Sequence, residues 1–269
     1  MGRNGAGKTT LMKTLATLLQ KKNGQVTVCG IPIEDEKEIR KIIGYLPQEF
    51  SVYPTMTVYE AMNYLAILSG LGKQERKECI EILLTKVNLA ENKSKKVKAL
   101  SGGMKRRLGI AQALLNNPKV LIVDEPTAGL DPEERIRFRN LLSEIAEERI
   151  VILSTHIVGD IEATCENIAI LDAGKVLYSG TVDNLLAIAD GKVFTRTTDR
   201  MELPRLKKEL FITGMHTQGK HIYIRYIAEN PISNSAPCEP NIEDAYMLYL
   251  KENGAEISAL PKEEIGGEN

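Results

Sequence analysis

Residues 2–9 read Gly-Arg-Asn-Gly-Ala-Gly-Lys-Thr, a G-x-x-x-x-G-K-[ST] phosphate-binding loop. Nothing else in the chain restricts its fold as much. The glycines let the backbone curl until successive N–H groups converge on an anion. Lys8 adds a point charge for the outer phosphates, and the Thr9 hydroxyl is a hard oxygen for a divalent cation. Gly2, Arg3, Asn4, Gly5, Ala6, Gly7, Lys8, Thr9 and Thr10 are therefore the candidate nucleotide contacts. Residues 9–19 read as the following helix, its positive end aimed at the same anion, with Leu11, Leu15, Leu18 and Leu19 on one face. Such a loop hangs from the end of a buried parallel strand, so an α/β fold with a mainly parallel sheet is expected. No strand precedes Gly2 in the sequence. The chain thus reads as lacking N-terminal strands, with activity reduced on that account.

A second set of residues supports the same chemistry. Residues 119–126, Lys-Val-Leu-Ile-Val-Asp-Glu-Pro, are a short apolar run ending in two acids. An unbroken apolar run of this length suits a parallel strand covered on both faces. Carboxylates at its C-terminal end lie where open α/β sheets bind ligands. Asp124 is suited to hold Mg²⁺ through water, and Glu125 to polarise an attacking water. Leu100-Ser101-Gly102-Gly103-Met104 adds a Ser-Gly-Gly turn that opens a helix. Alone it would be an ordinary cap; beside a phosphate loop it is a second anion-binding helix start.

Taken in order, the phosphate loop, Gln48, Leu100 to Gly103, Val120 to Glu125, Ala128-Gly129-Leu130-Asp131 and His156 resemble the ATP-binding subunit of ATP-binding cassette (ABC) transporters. The likeness is specific over residues 2–180 and less so beyond, where it resembles the export and multidrug type. It implies ATP and Mg²⁺ as ligands, with Thr9, Gln48 and Asp124 on the metal side. It implies catalytic roles for Glu125, His156 and Gln48. It also implies that Ser101, Gly102 and Gly103 complete the site of a second ATP-binding subunit, in a homodimer, and that a separate transmembrane permease is engaged near Tyr53. Arg3 stands where the family usually carries Pro. A soluble ABC ATPase acting on ribosomes or DNA, and a truncated non-catalytic fragment, are the competing readings. The retained Lys8, Asp124, Glu125 and His156 weigh against the second.

Charge and hydropathy bound the partners. Thirty-five Lys and Arg against 36 Asp and Glu leave a net charge of −1, giving no electrostatic ground for nucleic-acid binding. No apolar run approaches the roughly 20 residues that cross a bilayer. The expected location is cytoplasmic, peripheral on the inner face of the cell membrane. Four scattered cysteines lack metal-site spacing and read as free thiols. The expected organisation is an ATP-binding domain over 1–190, with an inserted helical subdomain at about 57–117. An α/β appendage over 191–269 follows, with a loop at 230–240 and a disordered tail at 262–269. Strands are expected at 25–30, 43–48, 120–124 and 150–154, and a final helix at 242–251.

Overall fold

The computed structural model describes residues 1–254 and divides the chain into two compact units. The first holds Met1–Thr164 and Leu171–Lys175; the second holds Cys165–Ile170 and the chain from Val176 on. The expected tail at 262–269 lies outside the described residues.

The first unit opens with the phosphate loop and helix α1 (Lys8–Leu15). A two-residue hairpin follows, β1 (Thr27–Val28) against β2 (Ile31–Pro32). Its turn, Cys29 and Gly30, takes positive φ at both positions (50° and 80°), the backbone a tight hairpin needs. The expected strand at 25–30 is therefore shorter, because this turn cuts it. Helix α2 (Glu36–Ile42) leads into β3 (Ile43–Leu46).

Next come α3 (Val58–Leu68), α4 (Lys73–Lys86) and α5 (Gly102–Ala113). Thr57 and Glu60 form a reciprocal capping box on α3, and Ser101 caps α5 through the Met104 N–H. The caps satisfy N–H groups that a helix start leaves without partners. Then come β4 (Val120–Asp124), α6 (Pro132–Ala146), β5 (Ile150–Ser154) and α7 (Val158–Thr164). Asp131 caps α6, whose first residue is Pro132, a position where the missing proline N–H costs nothing.

Strands β3, β4 and β5 form one parallel sheet with β4 in the middle. All five residues of β4 are buried. Leu121 and Val123 share a core with Leu46, the helices α3 to α5, and Phe138, Leu141 and Leu142 of α6. Val120 and Ile122 point the other way, onto Met12 and Ala16. Because the strands are parallel, their C-terminal ends share one edge. That edge presents Gln48 after β3, Asp124 and Glu125 at the end of β4, and His156 after β5.

The α1 face differs from expectation. Lys8 and Met12 are its buried residues, with Ala16 beyond its end; of the expected leucines Leu15 packs on that core, whereas Leu11, Leu18 and Leu19 are 39–57% exposed. The loop decides this. Turning Lys8 inward forces positions four and eight residues on to face the sheet too.

The chain passes between units in the paired strands β6 (Asn167–Asp172) and β7 (Lys175–Thr181). The second unit continues with α8 (Val182–Ala187), β8 (Val193–Thr198), α9 (Leu203–Glu209), β9 (Phe211–Gln218), β10 (His221–Ile227), β11 (Ser235–Pro237) and α10 (Ile242–Glu252). Its four-stranded antiparallel sheet runs β11-β8-β10-β9. The expected loop at 230–240 thus contains a strand. Pro237 is tolerated there because β11 is an edge, where a missing N–H breaks no ladder.

Asp244 of α10 is buried and accepts from Thr213 Oγ1 (2.6 Å), Arg225 Nε (2.7 Å) and the Asn241 N–H (3.0 Å). Replacing Asp244 by Ala takes the counter-ion from the Arg225 guanidinium, which keeps Cys238 Sγ and the Glu239 carbonyl, and the second unit is expected to lose about 3 kcal/mol. Chemical denaturation reads this as an earlier midpoint; an unchanged midpoint would remove the pair from the account of stability.

Candidate nucleotide site

The loop is held at two points by residues 171–174. The Met1 carbonyl accepts from the Leu171 N–H (2.8 Å), and the Ala6 carbonyl from the Gly174 N–H (3.0 Å). Gly2 touches the Leu171 carbonyl so closely that a Cβ would collide with it. Gly5 and Gly7 lie at φ 82° and 99°, a region only glycine enters without strain. Gly7 is the N-cap of α1 and brings no side chain to it. The first-turn N–H groups are therefore left for an anion.

Lys8 is 7% exposed. Its Nζ donates to the Gly2 (2.7 Å) and Arg3 (3.1 Å) carbonyls and lies 3.2 Å from Glu125 Oε1. The other Glu125 oxygen is 2.7 Å from His156 Nδ1. Glu125 is 5% exposed, while the His156 side chain is 45% exposed. One buried carboxylate therefore joins the loop lysine to an accessible imidazole. Its backbone is unusual: φ is 46°, costly for a residue with a Cβ. The Glu125 N–H is fixed by the Ser154 carbonyl (3.0 Å) and Ser154 Oγ (3.2 Å).

Asp124 is fully buried. Ser154 Oγ donates to its Oδ1, and Oδ2 has no hydrogen-bond partner. The Tyr45 hydroxyl is likewise buried without one. Burial, then the charge of Asp124, pushes the Tyr45 phenol up to about 12, so it stays protonated at neutral pH. A bare buried carboxylate oxygen, the Thr9 hydroxyl and the Gln48 amide oxygen are hard donors of the kind Mg²⁺ takes. The residues fit that ion.

Arg3 to Thr10, Gln48, Glu125 and His156 line one cavity of about 420 Å³. Of the other expected contacts, Gly2, the fully buried Asp124, and Ser101, Gly102 and Gly103 are not among them. Ser101 and Gly102 are exposed, and Gly103 is buried against Glu134, whose carboxylate a Cβ would strike. The turn thus presents one open end outside its own chain's cavity.

Two groups escaped the sequence reading. Ser154 bridges the backbone of Glu125 and the carboxylate of Asp124. Asp160, 1% exposed, accepts from Thr127, Thr155 (3.2 Å) and Arg139 Nε (2.7 Å), tying the segment after Glu125 to that before His156. A hydroxyl ending an apolar strand was the signal for Ser154. No local pattern marks Asp160.

The family described as ABC transporter matches residues 1–128. The chain is 33% identical over 275 residues to an uncharacterized ABC transporter ATP-binding protein of Synechocystis, covering 96% of this chain and 76% of that protein. It is also 33% identical to the probable multidrug ABC transporter ATP-binding protein YbhF of Escherichia coli, spanning 97% of this chain but about half (48%) of that protein. Among solved structures, cbiO1 of Clostridium perfringens, part of the ABC transporter complex cbiONQ, superposes with a TM-score of 0.64 at 30% identity. That match covers 70% of this chain and 77% of the other.

Proposed function

Because the chain belongs to the ABC transporter ATP-binding family, we propose that it hydrolyses ATP to drive a membrane exporter, acting as one of two cassettes that close on the nucleotide. The observation that carries the reading is the convergence of Lys8, Glu125 and His156 on the cavity floored by the phosphate loop. The open N–H groups of α1 and the Lys8 ammonium bind the phosphates and neutralise them. Glu125 polarises the attacking water. His156 and Lys8 stabilise charge developing on the transferred phosphoryl group. Thr9, Asp124 and Gln48 would hold Mg²⁺, which supplies further neutralisation of the phosphate oxygens. The exposed 101–103 turn then completes the site of a second copy, so ATP binds two chains together and its hydrolysis releases them. On this reading residues 1–190 bind ATP and 191–269 are an appendage. Phosphate release by the purified chain tests the hydrolysis; release no faster than from ATP without protein would reject it.

Export is supported by the relative named for multidrug transport. Among the described residues no helix is long and apolar enough to cross a membrane, so we assign the pathway to a permease partner. The contact we assign is Tyr53, 56% exposed and edge-on to Tyr64 with ring centroids 5.6 Å apart. The two rings border an apolar hollow of about 360 Å³ that also holds Val52, Met56 and Leu65, and Leu68 of α3 stands exposed. Half-wet aromatics beside apolar neighbours are typical interface anchors. Tyr53→Asp is expected to shift the protein from the membrane to the soluble fraction of cells making the permease, while ATP affinity stays at parent value. Equal membrane association with and without the permease would defeat the assignment.

A further inference from the structure

Helix α5 lies against the Gln48 strand at three levels. Near its C-terminal end, Gly44 of β3 is so close to the Ala113 carbonyl that a Cβ would collide with it. Midway, Gly109 makes room for Leu46 and Phe50; a Cβ there would sit 3.0 Å from the Phe50 ring. Nearer the N-terminus, Arg106 Nη1 donates to the Pro47 carbonyl (3.2 Å), the residue before Gln48. Burial works against the Arg106 charge, while Asp124 and Glu49 favour it. The neighbouring Arg107 turns elsewhere, donating to the Val87 (3.1 Å) and Asn88 (3.0 Å) carbonyls. At the head of the same helix stands the 101–103 turn, capped by Ser101.

We propose that Arg106 is a positioning residue that makes Gln48 and the 101–103 turn one mechanical piece, so that filling the phosphate cavity sets the pose of the turn offered to the second cassette. The inference rests on the two-cassette reading above. Gln48 lines the cavity, and its loop shifts with whatever the amide contacts there. The glycine contacts fix the lower part of α5 to β3, where closely packed backbones cannot deform smoothly. The loop meets the helix at Phe50 on Gly109 and at the Arg106–Pro47 bond, and the bond, nearer the head, passes the loop's displacement there. A cationic donor suits this, because a charge-assisted bond to a carbonyl is stronger than a neutral one. The helix itself is a twelve-residue hydrogen-bonded rod and moves as a unit.

The test compares Arg106→Gln and Arg106→Lys, alone and combined with Glu125→Gln. ATP affinity is read by calorimetry, kcat and KM by phosphate release, and ATP-driven dimerisation by size-exclusion chromatography with light scattering. Arg106→Gln is expected to keep affinity and KM within about twofold while kcat falls about tenfold, and the double variant to need about tenfold more ATP to dimerise. Arg106→Lys, which keeps a cationic donor, should recover most of both. If Glu125→Gln alone stays monomeric in saturating ATP, the two-cassette reading falls and this inference with it. If Glu125→Gln dimerises and the double variant does so at the same ATP concentration, the Arg106 assignment alone is overturned. It is equally overturned if Arg106→Gln lowers the melting temperature and ATP affinity together and Lys restores neither, since that marks a purely structural role.

Discussion

Glu125→Gln is expected to bind ATP and fail to turn it over, with kcat lower by about 10²–10⁴-fold, the usual worth of a positioned general base. The substitution keeps the shape of the side chain and removes its charge. In the parent, one carboxylate oxygen faces Lys8 at 3.2 Å and the other faces His156 at 2.7 Å. Gln removes the negative charge that pairs with Lys8, so the ammonium is freer to meet phosphate and affinity should hold or rise. Loss of hydrolysis with binding intact traps the ATP-bound state, and the variant should accumulate as a dimer. Phosphate release, titration calorimetry and light scattering on one preparation read all three effects. Hydrolysis at the parent rate would remove Glu125 from the chemistry.

Lys8→Ala is expected to act at the earlier step, weakening ATP binding by about a hundredfold or more, since charge-assisted bonds to the outer phosphates vanish with the ammonium. The change also leaves the Gly2 and Arg3 carbonyls without the donor that joins them, so the loop loses an internal brace as well as its charge. Calorimetric titration with ATP and with ADP, read beside the melting temperature, separates these effects. Loss of charge facing phosphate weakens both nucleotides but spares the melting temperature, whereas collapse of the loop lowers it. Unchanged affinity for either nucleotide would refute the assignment of Lys8.

The sheet and its loops were legible because chemistry and periodicity agree there. Residues 120–124 and 150–154 are short apolar runs, and both form the expected strands. Ser101 heads a helix as its Ser-Gly-Gly pattern predicts. The α1 face was not legible from leucine spacing. Its rotation follows one buried side chain, Lys8, and the leucine pattern apart from Leu15 yields to it. Strand β11 was hidden in a Pro- and Asn-rich stretch because an edge strand needs only one side to pair. Within the site, the motifs named candidate residues, but not the cross-links between them. Asp160 joins Thr127, Thr155 and Arg139, pairings that only the folded chain creates.

The left-handed backbone at Glu125 has a consequence for how such a chain could be altered over generations or in a laboratory. A residue bearing an ordinary side chain in that conformation costs about 1–2 kcal/mol, which Gly or Asn largely avoids. The same replacement, however, takes from the buried Lys8 ammonium its carboxylate partner, and breaking a buried pair costs about 3–5 kcal/mol, more than the strain relieved. Backbone strain here is therefore held in place by charge, and a heat-resistant descendant is expected to keep its glutamate even where turnover is not selected.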